Sequence, residues 1–362
     1  MVVLLKPTLR CLQRCSHCYE NTERKSVELS FERAIHILKK LQEIFNFRHA
    51  TLVFHGGEPL LMEYEFYKGI IETLKGSSYN RVSIQTSLPT TEDADRIIYL
   101  IGNYSTSFEY PSPLHSKRIP ERIMEIYKKT GIKGHVINTL WKKNEDVHGK
   151  KVYEFYKSFG LCFRFNYPVC TGNAKANWHY LGVSMEKWLK RIIEIFDNWF
   201  LDRTSIYVNP LLTIIEAFLF RTMSVCFFSD SCYTFIIAVD PDGEISQCGR
   251  LYNYPYGNIL SIDSLEVLKG NTHYRESYMR KYSVRLECGS CNYFYLCKGG
   301  CKGNSMIMYG SFLRKDPFCQ YYRRLFEHIE GKLDRNYNRA IDWLLNYVKL
   351  QRADVSLSTT HL

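Results

Sequence analysis

The sequence has no apolar run long enough to cross a membrane. A helical span needs about 20 apolar residues, and the best stretch, 206–228, is interrupted by Asn209, Pro210, Glu216 and Arg221. It has no secretion signal: the first residues are few, apolar and run into Pro7, without a small-residue cleavage site. It has no internal repeat and no low-complexity tract. It also lacks a long block of one charge. The net charge is +11, but the 48 Lys and Arg residues are spread out, with only short runs such as Lys128-Lys129 and Lys142-Lys143. An ordinary solvated surface is therefore the favoured expectation, with no membrane partner, although the positive field could also serve nucleic acid or an acidic peptide segment. With 362 residues and 45% hydrophobic content, the chain suits one large or two ordinary domains.

Cysteine, by contrast, is abundant: there are thirteen. In a long chain without a secretion signal, clustered cysteines point to metal rather than disulfides, and to the reducing cytoplasm. Cys11, Cys15 and Cys18 have the spacing C-x3-C-x2-C, with Tyr19 directly behind. A four-iron cluster needs an outer ligand on each iron, usually a thiolate. Three nearby cysteines leave one iron open to another ligand. The same thiols also suit a zinc site completed by His17 or His55, or a structural thiol cluster.

Short segments rich in Val, Ile, Phe and Thr predict strands at 2–7, 51–57, 81–87, 105–110, 134–141 and 161–169. Helical spacing predicts helices at 30–45, 63–75, 91–102, 118–130 and 146–159 between them. Six β-α units in a row imply an α/β fold with a parallel sheet. Functional residues of such sheets gather at the carboxyl ends of the strands. The first cysteine run follows strand one, and His55-Gly56-Gly57-Glu58-Pro59 follows strand two. Paired glycines let backbone approach a ligand, Pro59 stiffens the exit, and Glu58 offers a carboxylate to an ammonium group. The same residues also make a plain strand-to-helix turn.

A helical region is expected from about 185 to 220. Beyond it the chain becomes loop-rich, with eight cysteines: Cys226, Cys232, Cys248, Cys288, Cys291, Cys297, Cys301 and Cys319. Eight thiols suffice for two fully ligated four-iron clusters, although Cys288-x2-Cys291 alone also passes as half a zinc ribbon. Cys162 and Cys170 remain. The expected divisions are 1–205, 206–330 and 331–362, the last an amphipathic helix at about 335–350 and a polar tail.

On these motifs the first half resembles the radical S-adenosylmethionine (radical SAM) enzymes, which carry C-x3-C-x2-C and a later Gly-Gly-Glu-Pro. The resemblance implies a partial (β/α)6 TIM-like barrel in which Cys11, Cys15 and Cys18 hold a cluster and SAM chelates its open iron. Glu58 and the neighbouring Gly56, Gly57 and Pro59 would hold the SAM amino group, and Tyr19 would lie near the adenine. Ser107 is implied near the ribose; Thr86 and Ser87 would face the same pocket or simply end a strand. One-electron reduction would then yield a 5′-deoxyadenosyl radical. The second half resembles the SPASM auxiliary-cluster domain, including C-x10-G-x4-C from Cys232 to Cys248. That resemblance implies a crossed ligand pattern, with Cys226, Cys232, Cys248 and Cys301 on one cluster and Cys288, Cys291, Cys297 and Cys319 on the other. Three 4Fe–4S clusters and SAM are thus the expected cofactors.

The chain is similar to anaerobic sulfatase-maturating enzymes and related peptide maturases, with two departures. Those maturases carry an Asp, able to act as base, immediately after the cysteine matching Cys248; here Gly249 and Arg250 follow. Where relatives read Ser-Leu-Asp-Gly-Pro, this chain reads Ser107-Phe108-Glu109-Tyr110-Pro111. His115 and Arg118 resemble polar residues downstream, or a charge pair at a helix start. Cys170, before Thr171-Gly172-Asn173-Ala174, is a candidate hydrogen donor to a substrate radical, or else an inert thiol. The expected function is oxidative modification of a peptide or protein side chain, with formylglycine formation as the alternative and a non-catalytic metal-cluster or zinc scaffold that binds a partner or nucleic acid as the rival class. The expected partners are the peptide or protein and an external electron donor such as flavodoxin or ferredoxin. The chain begins almost at the first cysteine run, so peptide recognition is expected on the barrel, the second half or another protein.

Overall fold

A computed structural model describes residues 1–21, 27–111, 118–202, 204–223 and 225–358, with side chains described through residue 347. The six expected strands form: β1 (Val2–Thr8), β2 (Ala50–Gly56), β3 (Tyr79–Thr86), β4 (Tyr104–Ser107), β5 (His135–Thr139) and β6 (Phe163–Asn166). They pair in parallel and in chain order. Between them run α1 (Phe31–Phe45), α2 (Tyr64–Thr73), α3 (Ala94–Ile101), α4 (Arg118–Thr130) and α5 (Gly149–Ser158). Their apolar stripes lie on the sheet; in α1 this is Ala34, Ile37, Leu38 and Leu41, all buried. Ser30 caps α1 by accepting from the Arg33 N–H at 3.3 Å. His115 lies outside the described residues, and Arg118 opens α4.

Several expected boundaries shift. The sixth strand is shorter than 161–169, because Pro168 has no N–H to give to a ladder. The region 185–220 is two helices, Met185–Leu201 and Leu211–Phe220, divided by β7 (Val208–Asn209). Pro210 immediately precedes the second helix, where a missing N–H costs nothing. The loop-rich expectation for 226–319 misses a 17-residue helix, Thr272–Cys288. Its Tyr, Arg and Lys residues form no apolar stripe, so periodicity does not reveal it. The last helix runs beyond its expected end, from Tyr337 to Ser358. No helix among the described residues is long and apolar enough to cross a membrane.

The sheet does not stop at residue 205. β8 (Ile236–Val239) pairs in parallel with β1, from Val2 opposite Ile236 to Leu5 opposite Val239. Antiparallel β9 (Glu244–Ser246) and β10 (Gly257–Asn258) continue outward. The sheet order is β10-β9-β8-β1-β2-β3-β4-β5-β6-β7. β1 is therefore central, which fits its burial on both faces. The expected division near 205 marks a change in composition, not a break in hydrogen bonding.

Candidate active site

The loop after β1 carries the first three cysteines and is held by backbone contacts. The N–H of Gly57 donates to the Thr8 carbonyl at 3.0 Å, and that of Glu58 to the Arg10 carbonyl at 2.7 Å. A β-carbon at Gly56 would lie 2.5 Å from the Thr8 carbonyl oxygen, and one at Gly57 only 2.1 Å from that of Arg10. The paired glycines thus let the chain approach itself just before Cys11, a close contact the motif did not reveal.

A second clamp comes from the segment after Cys170. The Ala174 N–H donates to the Cys18 carbonyl at 3.0 Å, and the Asn173 N–H to that of Glu20 at 3.1 Å. The Asn173 and Asn177 side chains donate to the carbonyls of Cys15 and Ser16 at 3.3 and 3.4 Å. Gly172 has φ +56°, and a β-carbon there would meet the Tyr19 carbonyl oxygen at 2.1 Å. Sequence reasoning had named this segment only as the neighbour of Cys170; a glycine between two polar residues was the available signal. Gly172→Ala combines a left-handed backbone with a backbone clash. It is expected to cost about 2–4 kcal/mol and to lower iron uptake at the first site. Denaturant unfolding and iron content measure this, and unchanged values would show that the clamp is dispensable.

The other expected cofactor contacts line the strand ends. Glu58 is almost fully buried, at 1% exposure. Its carboxylate accepts from the Leu60 N–H at 3.0 Å, the Thr86 hydroxyl at 2.6 Å, the Ser87 N–H at 2.7 Å and the Ser87 hydroxyl at 2.5 Å. It braces β3 against the turn at Pro59, whose carbonyl accepts from the Tyr67 hydroxyl at 2.5 Å. Ser107 ends β4 beside Gln85, at 3.5 Å. Glu109 is fully buried, and its carboxylate, pushed up to about 8 by burial, lies 3.5 Å from His17. Cys170 is half-buried, with burial raising its thiol.

All thirteen cysteines are free. Eleven fall into three groups whose members lie near one another. Cys11, Cys15 and Cys18 form the first. Cys226, Cys232, Cys248 and Cys301 form the second. Cys288, Cys291, Cys297 and Cys319 form the third. Burial pushes the thiols of Cys15, Cys232 and Cys297 up to about 12. Such thiols ionise readily only when a ligated cation supplies compensating charge. Among the described residues no three His, Cys, Asp or Glu side chains converge on a position for one metal ion. Sets of three, four and four thiols are a donor chemistry suited to multi-iron clusters.

Asp316, which sequence reasoning missed, joins the two C-terminal groups. Its carboxylate accepts from the N–H groups of Cys301 and Phe318, both at 2.8 Å, and from the Asn304 amide at 2.9 Å. Its carbonyl accepts from the Cys319 N–H at 3.1 Å. Buried Arg280 pins the turn between Cys297 and Cys301 by donating to the carbonyls of Lys298, at 3.3 Å, and Gly299, at 2.7 Å.

Residues 5–156 match the family model of the Radical SAM superfamily. The chain contains a radical SAM domain. Along most of its length it is similar to the cysteine-type anaerobic sulfatase-maturating enzyme of Clostridium perfringens (strain 13 / Type A), 24% identical over 91% of this chain and 96% of the relative. Its fold is similar to that of native anSMEcpe with bound AdoMet, with a TM-score of 0.76 at 22% identity, covering 93% of this chain and 99% of the other. It is also similar to Streptococcus suis SuiB bound to S-adenosylmethionine, with a TM-score of 0.64 at 12% identity, covering 88% and 77%. This is an enzyme with a radical SAM domain, similar to sulfatase maturases and peptide-modifying enzymes. SAM and a 4Fe–4S cluster are its cofactors.

Besides the pairing of β1 with β8, contacts around the first cysteine run join the radical SAM domain to the second half. Lys6 of β1, fully buried, pairs with Glu20 behind the cysteine run and with Asp240 after β8, at 2.9 Å for the latter. Tyr19 reaches the same border. Its hydroxyl lies 3.1 Å from His55 Nδ1, which also accepts from the Gly56 N–H at 2.7 Å. Burial, then Lys6, lowers the His55 imidazole to about 4, so it is neutral at physiological pH. On its other side the Tyr19 hydroxyl fills the space beside Gly249: a β-carbon there would lie 2.8 Å from it.

Proposed function

We propose that this radical SAM enzyme oxidises a peptide or protein side chain by a route that does not use an acid after Cys248. The single observation carrying this reading is the packing of the Tyr19 hydroxyl against Gly249. The resembling maturases place a carboxylate at the position of Gly249, and here even a β-carbon at that position would crowd Tyr19. The likeness to enzymes solved with peptides, native anSMEcpe with Cp18Cys peptide and SuiB with the precursor peptide SuiA, supports a peptide as substrate.

Cys11, Cys15 and Cys18 would hold the SAM-binding 4Fe–4S cluster. Gly56, Gly57, Glu58, Pro59, Thr86, Ser87, Ser107 and Tyr19 would line the SAM site. When bound and reduced, the cluster and SAM together supply a 5′-deoxyadenosyl radical that abstracts hydrogen from the substrate. The two groups of four thiols would hold two auxiliary clusters in residues 206–330, and their partition supports the crossed ligand pattern. An external flavodoxin- or ferredoxin-like protein would supply electrons. Cys170 beside the clamp remains the candidate hydrogen donor.

The test incubates the anaerobically reconstituted enzyme, SAM and reductant with a cysteine-containing sulfatase peptide and with short peptides encoded beside its gene. Mass spectrometry is expected to find no formylglycine in the first, and loss of two hydrogens or an internal crosslink among the second. Gly249→Asp is expected to leave formylglycine formation absent, because Tyr19 occupies the space. Similarity to sulfatase maturases along nearly the whole chain favours a second reading, a maturase with its base elsewhere. Formylglycine in the sulfatase peptide would establish that reading and remove the first.

A further inference from the structure

The second thiol group is unusual in what faces it. Arg250 follows Cys248 by two residues, and its guanidinium donates to the Cys301 sulfur at 3.1 Å. Among the described residues no carboxylate forms an ion pair with Arg250; the groups beside it are the thiols of Cys301, Cys248 and Cys226 and the Tyr167 hydroxyl. Gln247 donates its amide to the Cys232 sulfur at 2.8 Å. Its orientation is determined, because its carbonyl accepts from Ser277 at 2.7 Å and Tyr256 at 3.1 Å. Buried Lys302 bonds the carbonyls of Asp230 and Ser277, at 2.9 and 3.1 Å, beside Cys232. The third thiol group is faced differently: the Gly299 backbone N–H donates to Cys297, and Lys315 and Arg323 lie near Cys288 and Cys319, but among the described residues no side chain donates a hydrogen bond to the sulfurs of these four cysteines.

We infer that Arg250 is a positioning residue that raises the reduction potential of the cluster held by Cys226, Cys232, Cys248 and Cys301, making it the more readily reduced of the two auxiliary clusters. Adding an electron makes a four-thiolate cluster more negative. Hydrogen bonds to its sulfurs and nearby positive charge favour that reduced state, and a guanidinium keeps its charge when buried. The inference rests on the auxiliary-cluster reading above.

EPR-monitored redox titration of the reconstituted holoenzyme tests it. A Cys11, Cys15 and Cys18→Ala background identifies the auxiliary couples. Arg250→Gln is expected to disfavour reduction of one auxiliary couple by about tenfold, or about 59 mV for one electron, leaving the other unchanged. Arg250→Lys, which keeps the charge, should restore most of the shift. Equal potentials in wild type and Arg250→Gln, with iron content preserved, would overturn the inference while leaving the cluster reading intact. A second measurement needs no variant. In holoenzyme carrying 15N-arginine, pulsed EPR of the reduced auxiliary clusters should show a 15N coupling on one of them. Its absence would overturn the inference even if Arg250→Gln fails to fold. Only about four irons per wild-type chain would instead remove the auxiliary clusters themselves.

Discussion

Cys15→Ala should reduce 5′-deoxyadenosine formation to background while leaving most of the protein's iron in place. Cys15 is central to the first cysteine run, and its carbonyl is held at both ends: the Cys18 N–H donates to it at 3.2 Å and the Asn173 amide at 3.3 Å. The variant removes only Sγ and leaves these backbone contacts intact. Two thiols then remain where a three-thiolate site is needed to leave one iron open to SAM. Iron should fall from about twelve to about eight per chain, since the eight C-terminal thiols are untouched. Product analysis by liquid chromatography and an iron assay measure both effects. Retained SAM cleavage would show that this run does not hold the SAM-binding cluster. Loss of all iron would show that the first site is needed for the others to form.

Asp316→Ala should have the largest effect on stability, about 3–5 kcal/mol, with loss of iron from both C-terminal groups together. The carboxylate is buried, at 1% exposure, and three donors depend on it. Each buried donor left without an acceptor costs about 1–3 kcal/mol. A β-carbon at Gly300 would lie 2.3 Å from the Asp316 β-carbon, so the turn carrying Cys301 is built around this side chain. Asp316→Asn keeps the volume but turns an N–H toward one donor, and should cost less, about 1–3 kcal/mol. Denaturant unfolding of the reconstituted enzyme, with iron counted on each variant, measures this. Iron loss confined to one group of four would refute the bridging role.

The six β-α units were legible because their signals are local. Ala34, Ile37, Leu38 and Leu41 repeat at helical spacing, and the short β-branched strands alternate with such helices. The helix Thr272–Cys288 was not legible, because tertiary contacts rather than an apolar stripe hold it: its Arg280 is buried against the carbonyls of Lys298, Gly299 and Arg314. The first cysteine run and the Gly-Gly-Glu-Pro turn were legible as motifs. The clamp by Gly172, Asn173 and Asn177 was not, since those residues lie more than 150 positions from the loop they hold.

The sequence by itself determined the thiol inventory, the order of β-α units, and the absence of an acid after Cys248, because these are properties of residue identity and short spacing. It could not show which thiols share a group from spacing alone: Cys301 lies four residues from Cys297, yet it interacts with Cys232 and Cys248. Only the tertiary structure decided that partition, by folding the 297–301 turn around Asp316 and Arg280. It also decided that β8 joins β1, which brings Gly249 against Tyr19. Both outcomes depend on contacts between distant segments whose energies come from burial and hydrogen bonding, and such contacts leave no periodic trace along the chain.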